Sequence, residues 1–223
     1  VADRPVKIDI LSVNIGVPKP IGEIHGSKVY SGIEKEAVPS GTVLWLSLAN
    51  LSGDGQADLS VHGGPDKAVY AYPSEHLPRW EADLDETFGP APFGENLSTS
   101  GATEDTVCIG DRWAWDGAVL EVCQPRWPCF KLTIHRRRAD VGSRMRSTAR
   151  TGWYLRVLQP GEVTVGSPIE VIERDPAGLS VKQAHLAMSD RHLDDRALVE
   201  ALAHHPRLAA QWQDPLADRL IDT

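Results

Sequence analysis

Cys123-Gln-Pro-Arg-Trp-Pro-Cys-Phe-Lys-Leu132 is the stretch around which the chain changes character. Strand-like sequence precedes it, and within it Pro125 and Pro128 stiffen a loop and remove backbone donors. Arg126 and Lys131 flank Cys129, and positive charge beside a thiol favours thiolate, the form that ligates a metal or attacks an electrophile. A buried structural cysteine is the plainer alternative. Zinc is open only if His62 and His135 converge on Cys123 and Cys129 in space, since the sequence has no second tight Cys or His pair. Cys/His nucleophilic catalysis is open too, with His62 as base.

Just upstream, Trp113, Trp115, Val119 and Val122 surround Asp116-Gly117, which predicts a hairpin with a type I′ turn over Asp111 to Cys123. Further back, Val6 to Val13 and Val43 to Leu48 are β-branched runs separated by Gly and Pro. Leu77, Trp80 and Leu84 share one helical face, with Ser74 as a cap and Gly89-Pro90 as a stop. Downstream, Val141, Met145 and Ala149 predict a helix over Asp140 to Arg150 ended by Gly152, then a strand from Trp153 to Leu158. Beyond Asp175 the strand signals stop. Helical patterns follow at Ser180 to Met188, Asp194 to Ala203 and Pro206 to Trp212, with another towards Leu220. The fold class expected is mainly β with some α, divided into a domain at 1–175 and a small helical appendage at 176–223.

A chain of 223 residues, 41% hydrophobic, can bury a sizeable core. It has no apolar run of the roughly 18 residues a spanning helix needs and no secretory leader pattern, so a soluble, cytoplasmic protein is expected. Three cysteines, Cys108, Cys123 and Cys129, are too few and too odd for a disulfide framework. Cys108 and Cys123 lie on strand-like runs and are read as core. The net charge of −8 argues against general polyanion binding, yet Arg126 to Arg156 holds nine Lys or Arg against one acid, Asp140. The Arg136 to Arg138 run reads as a solvated face, because consecutive arginines cannot all point at one ligand. Arg126 and Lys131 are the better candidates for a specific anion.

Two further loops break the β pattern. Val61-His-Gly-Gly-Pro-Asp-Lys67 has adjacent glycines that let backbone approach a ligand, or simply make a turn. Pro92-Phe-Gly-Glu-Asn-Leu97 is the other, where an Asn after a Gly turn often just satisfies its own backbone. Neither a P-loop nor a dinucleotide fingerprint is present.

In this order and at these separations, the loops resemble the MOSC domain, the molybdenum-cofactor sulfurase C-terminal family, and its small YiiM-type members. The resemblance runs over His62-Gly-Gly-Pro-Asp-Lys-Ala-Val-Tyr70 with Tyr72-Pro73, Phe93-Gly-Glu-Asn-Leu-Ser98, Gly110-Asp111, Gln124-Pro-Arg126, Pro128-Cys129, Lys131-Leu132 and Gly152-Trp153-Tyr154. It spans roughly Val6 to Val171, and the tail from Pro176 looks like the three-helix extension of that subgroup. The resemblance implies a β-barrel-like domain binding the molybdenum cofactor (molybdopterin), with Cys129 as the protein ligand to the metal. Glu95 and Asn96 then fall in the loop lining the cofactor site, Arg126 and Lys131 hold the pterin phosphate or the substrate, and His62 and Asp66 are the candidate catalytic residues beside Cys129. The implied function is a molybdenum-dependent reductase of N-hydroxylated compounds such as hydroxylamino-purines, fed by a separate electron-donating reductase. The alternative is a non-catalytic carrier of sulfur or cofactor on Cys129. A homodimer is held open, membrane partners are not expected, and a nucleic-acid role would have to use the basic island and the tail.

Overall fold

The computed structural model describes residues 7–57, 63–190, 193 and 195–221. In chain order its strands and helices are β1 (Lys7–Ile15), β2 (Lys19–Ile24), β3 (Ser27–Ser31), β4 (Glu36–Ala37), β5 (Val43–Leu46), β6 (Val69–Pro73), α1 (Leu77–Leu84), β7 (Leu97–Ser100), β8 (Arg112–Trp115), β9 (Ala118–Pro125), α2 (Phe130–Arg136), α3 (Val141–Thr148), β10 (Trp153–Gln159), β11 (Gly161–Thr164), β12 (Ile169–Glu173), α4 (Val181–Ser189), α5 (Arg196–Ala203) and α6 (Ala210–Ile221). Seven strands in the order β12-β8-β9-β10-β6-β7-β1 close on themselves through the β1–β12 pair, giving the mainly β fold with a closed barrel. Closure leaves no open sheet edge in that ring. All neighbours are antiparallel except β6 and β7, which run parallel because α1 crosses between them.

Period-two alternation puts Trp113 and Trp115 of β8 and Trp153, Leu155 and Val157 of β10 inside. Trp113 and Trp153 meet edge to face at 5.8 Å, filling the barrel with rings. The hairpin forms as the alternation predicts, but its turn differs: Asp116 takes the positive φ of 46°, while Gly117 is not in the left-handed region. A second core, of Tyr72, Trp80, Leu84, Phe93, Leu132, Val141 and Met145, lies where α1, α2 and α3 pack beside the barrel. There Trp80 donates to the Tyr72 hydroxyl at 2.6 Å.

Several local expectations shift. Ser74 opens a 3-10 turn rather than capping α1, and α1 stops at Asp85 in the left-handed conformation, before Gly89. Likewise α3 stops at Ala149. Gly152 serves strand approach instead: a Cβ on it would sit 2.3 Å from the Ala71 carbonyl oxygen of β6. In the tail, the two patterns expected at Pro206 to Trp212 and towards Leu220 become one helix, α6, with Pro215 inside it.

The tail continues the barrel's packing. Val181, Ala184, Leu202, Trp212 and Leu216 belong to the same buried cluster as the barrel interior, and the Ala209 N–H donates to the Cys123 carbonyl at 2.9 Å. A capping box of Ser180 and Gln183 starts α4, and the Asp195 side chain caps α5. The basic island is largely neutralised within the fold. Arg136 and Arg138 face Glu86, Arg144 faces Asp140, Arg150 faces Asp83, and Arg156 faces Asp66 and Glu121. No described helix is long and apolar enough to cross a membrane.

Candidate cofactor and active site

The cysteine loop leaves the barrel where β9 ends. Pro125 is paired with Trp153, the Arg126 N–H donates to the Gly152 carbonyl at 3.1 Å, and the chain then turns into α2 with Cys129 as its half-buried cap residue. A loop alone is expected for this segment, yet a short helix follows the cysteine because Leu132 inserts into the second core.

Arg126 is 4% exposed and Lys131 8%. Among the described residues neither has a carboxylate within ion-pair distance, unlike Arg136, Arg144, Arg150 and Arg156 downstream. The Arg126 guanidinium instead lies over the Tyr70 ring at 5.4 Å and directs one nitrogen to the Met145 sulfur at 3.1 Å. Buried cations without a counter-ion are unfavourable unless an anion joins them.

Asn96 lines the same cavity, but its amide is fully engaged in holding the wall. It donates to Asp54 at 2.9 Å and to the Asn14 carbonyl at 3.2 Å, and accepts from the Tyr70 N–H at 3.1 Å. Asp54 also takes the Gly16 N–H and the buried ammonium of Lys35. Burial lowers the Lys35 pKa even though Asp54 opposes it. Gly94, at φ 80°, passes so close to Ile33 that a Cβ would lie 2.5 Å from its side chain.

Glu95 is placed behind this wall and does not line the cavity. Its carboxylate accepts from the Phe93 N–H at 3.0 Å and from Ser98 Oγ at 3.1 Å. Burial pushes its pKa up to about 7 against those hydrogen bonds. Asp66 also differs from expectation: its carboxylate pairs with Arg156 at 2.8 Å and borders neither cavity at the cysteine. The 3-10 turn Pro65–Lys67 sends the next residue, Lys67, into the site instead. His62 lies outside the described residues.

Two cavities meet at Cys129. One, about 100 Å³, is bordered by Lys35, Asp54, Asn96, Arg126 and Lys131. The other, about 450 Å³, lies towards the helical tail and is bordered by Gln124, Met188, Gln211, Trp212 and Pro215. Lys67, Trp127, Cys129 and Tyr154 border both. Lys67, Trp127 and Tyr154 were absent from the sequence-level set of site residues, although Lys67 and Tyr154 stand inside the quoted motifs.

The other thiols are unsuited to ligation. Burial pushes Cys123 up to about 12, and its Sγ lies 3.2 Å from the Asp66 carbonyl; Cys108 is raised by burial as well. Among the described residues no three His, Cys, Asp or Glu side chains gather around a common point for a metal. The buried cations beside Cys129 suit an anionic cofactor, which would bring the remaining donors to a metal on that thiol. The donor set fits a phosphorylated dithiolene cofactor.

Comparison with known proteins gives the family. The MOSC domain matches residues 58–170. The uncharacterised protein YflK of Bacillus subtilis is 41% identical over 207 residues, covering 93% of this chain and 92% of YflK. A protein named "Reductase" from Gibberella moniliformis is 34% identical over 201 residues, covering 88% of this chain but 34% of that protein. The crystal structure of YiiM from Geobacillus stearothermophilus superposes with a TM-score of 0.79 at 33% identity, over 96% of this chain and 99% of that one. This chain belongs to the MOSC domain family and is of its YiiM type.

Proposed function

We propose that the protein is a cytoplasmic, molybdenum-cofactor-dependent reductase of N-hydroxylated compounds, detoxifying hydroxylamino-purine bases. Family membership and the likeness to YiiM support a molybdenum-cofactor-associated, oxidoreductase-type role, and one relative bears the name reductase. The observation that carries the reading is the pair of buried cations, Arg126 and Lys131, set without carboxylate partners among the described residues beside an accessible thiol.

In this reading Cys129 holds the metal, and Arg126 and Lys131 hold the cofactor phosphate. Asn96, Asp54 and Gly94 keep the wall in place, while Glu95 fixes the Phe93 to Ser98 loop from behind. When bound, the cofactor supplies the two-electron exchange that opens an N–O bond. The overall change is R–NHOH plus two electrons and two protons giving R–NH2 and water, with the electrons drawn from a separate reductase. Lys67 is the proton-bearing group at the junction of the cavities, and burial lowers its pKa, easing release of a proton to a leaving oxygen. Tyr154 stays protonated, since burial raises its pKa. His62 is retained from the glycine-loop motif as a second proton carrier.

The deciding experiment measures molybdenum in purified wild-type protein and in Cys129→Ser, alongside reduction of 6-hydroxylaminopurine with a chemical electron source. Metal and turnover in the wild type, both lost in the variant, are expected. Equal, substantial metal in both proteins sinks the ligand assignment. Metal with no turnover in the wild type favours the carrier.

A further inference from the structure

We propose that the larger cavity, between the cysteine loop and helices α4 and α6, seats the flat heteroaromatic ring of the substrate, so that the helical tail selects what is reduced. This rests on the reductase reading above and adds to it where the ring lies and which side chains choose it.

A metal-ligating residue has to be reachable from the cofactor side and from the substrate side. Cys129 borders two cavities and so offers both approaches. The smaller one, about 100 Å³, is bordered by Arg126 and Lys131 and suits the phosphate of the anionic partner. What remains is the larger one, at about 450 Å³ a volume in the usual range for small organic ligands. Among its described bordering residues Lys67 is the one Lys, Arg, Asp or Glu, and the rest of the lining is mostly apolar, aromatic and amide, which suits a heteroaromatic ring with polar edges.

Its walls are built for a planar ring. Trp127 and Trp212 stand 5.9 Å apart at 74°, forming a corner in which a flat ring can stack on one indole and meet the edge of the other. Trp127 is held from behind by the His185 imidazole of α4, at 5.6 Å and 35°. That imidazole is buried and donates from Nε2 to the Arg146 carbonyl at 2.8 Å. Met188 and Pro215 complete the apolar side. The polar side is a chain of amides: Gln211 accepts from Lys67 Nζ at 2.9 Å and donates to Gln124, which donates to the Asp66 carbonyl at 2.9 Å. Helix α6 thus sets the position of Lys67 as well as the ring-stacking corner. A substrate ring lying here presents its N–O group at the Cys129 end, next to Lys67.

The test is calorimetric titration of the full-length, cofactor-loaded protein with adenine, which has the ring and lacks the N–O group, and with acetohydroxamic acid, which has an N–O group and lacks the ring. Molybdenum content is measured on the same samples. Trp127→Leu and Trp212→Leu are expected to weaken adenine binding about tenfold, the scale of one lost base–aromatic stack, with molybdenum content unchanged in Trp212→Leu, whose ring borders the larger cavity alone. Trp45→Ala, an exposed tryptophan on β5, is expected to bind as the wild type does. Trp212 is buried and its loss can unfold the chain, whereas Trp127 is 42% exposed and keeps the experiment decisive. Adenine binding that is unchanged in Trp127→Leu, or no tighter than acetohydroxamic acid in the wild type, overturns the proposal. So does molybdenum content that falls together with adenine binding in folded Trp212→Leu, because the larger cavity would then hold the cofactor. Adenine binding that needs Trp127, in a protein with no reductase turnover, supports the cavity assignment and defeats the reductase reading.

Discussion

On one side of Cys129 stand Lys35, Asp54, Arg126 and Lys131; on the other stand Trp127, Met188, Trp212 and Pro215, and Lys67 faces both. The first group comes from barrel loops whose backbone is fixed by buried hydrogen bonds, such as those of Asn96 and Asp54. The second comes largely from helices packed on the barrel through Val181, Ala184 and Trp212 and tied to the cysteine strand by the Ala209 N–H on the Cys123 carbonyl. The barrel side holds buried charge, that of Arg126 and Lys131 without a carboxylate among the described residues, and the helix side holds ring surface. Charge of that kind is a liability to the cofactor-free protein and an asset to anion binding, while ring surface stabilises the fold and can be shared with a ligand. One thiol between them can then serve two partners of opposite chemistry.

The contrast is broken most directly at Arg126. Replacing it with Met removes a buried ion for which no carboxylate is positioned among the described residues. Molybdenum content is expected to fall to background while the cofactor-free protein melts at an equal or higher temperature, a gain of about 1 to 4 kcal/mol at most on the scale of buried ionic groups replaced by apolar ones. Metal content and melting temperature read the two sides separately. Full metal retention, or a large loss of stability without cofactor, shows that the guanidinium serves the fold and not an anion.

How much of each side could be read in advance follows from the range of the interactions that build it. The hairpin was legible because Trp113, Trp115 and Val119 alternate about one turn, and Cys129, Arg126 and Lys131 were legible because they are neighbours in sequence. Barrel closure was not, since Lys7 pairs with Glu170 and nothing local marks that contact. Helix α2 was missed because Thr133 and Ile134 are β-branched and the segment is short; its packing through Leu132 overrides propensity. Asp66 and Lys67 are adjacent, and periodicity could not say which of them the 3-10 turn would aim at the site. Gln211 and Trp212 carried no signal of function, being ordinary residues of an amphipathic tail until α6 is laid against the cysteine loop.

Behind the charged side, Glu95 offers a pH-dependent probe. Its folded pKa, about 7, lies above the ordinary value of 4.5, so the folded state holds the proton more tightly than the unfolded one. The resulting stability is full below pH 4.5, declines as pH rises, and is lost above about 7. Its size is of the order of 3 kcal/mol, at 1.36 kcal/mol per unit. Denaturant titrations of wild type and Glu95→Gln should therefore diverge between pH 4.5 and 7.5, with the variant lacking the decline. Parallel curves would place the carboxyl in a far more polar setting than the Phe93 to Ser98 loop provides.

The smallest effect is expected at Asp66, where the glycine-loop motif and the folded geometry part company. The carboxylate is 39% exposed and its partner Arg156 also faces Glu121, so one lost pairing is shared by a remaining neighbour and screened by water. Asp66→Asn should lower stability by no more than about 1 kcal/mol, the usual range for a surface ion pair. Molybdenum content should be unchanged, because the backbone carbonyl that receives Gln124 survives the substitution. Turnover should stay within about twofold of the wild type, an effect of less than 1 kcal/mol on the barrier. Lys67→Met, one residue later, should abolish turnover while leaving the metal in place, and it is this difference between neighbours that assigns the proton-bearing role. Equal losses in both variants would instead mean that the turn acts as a unit and that the side of the chain each residue faces has no bearing on the chemistry.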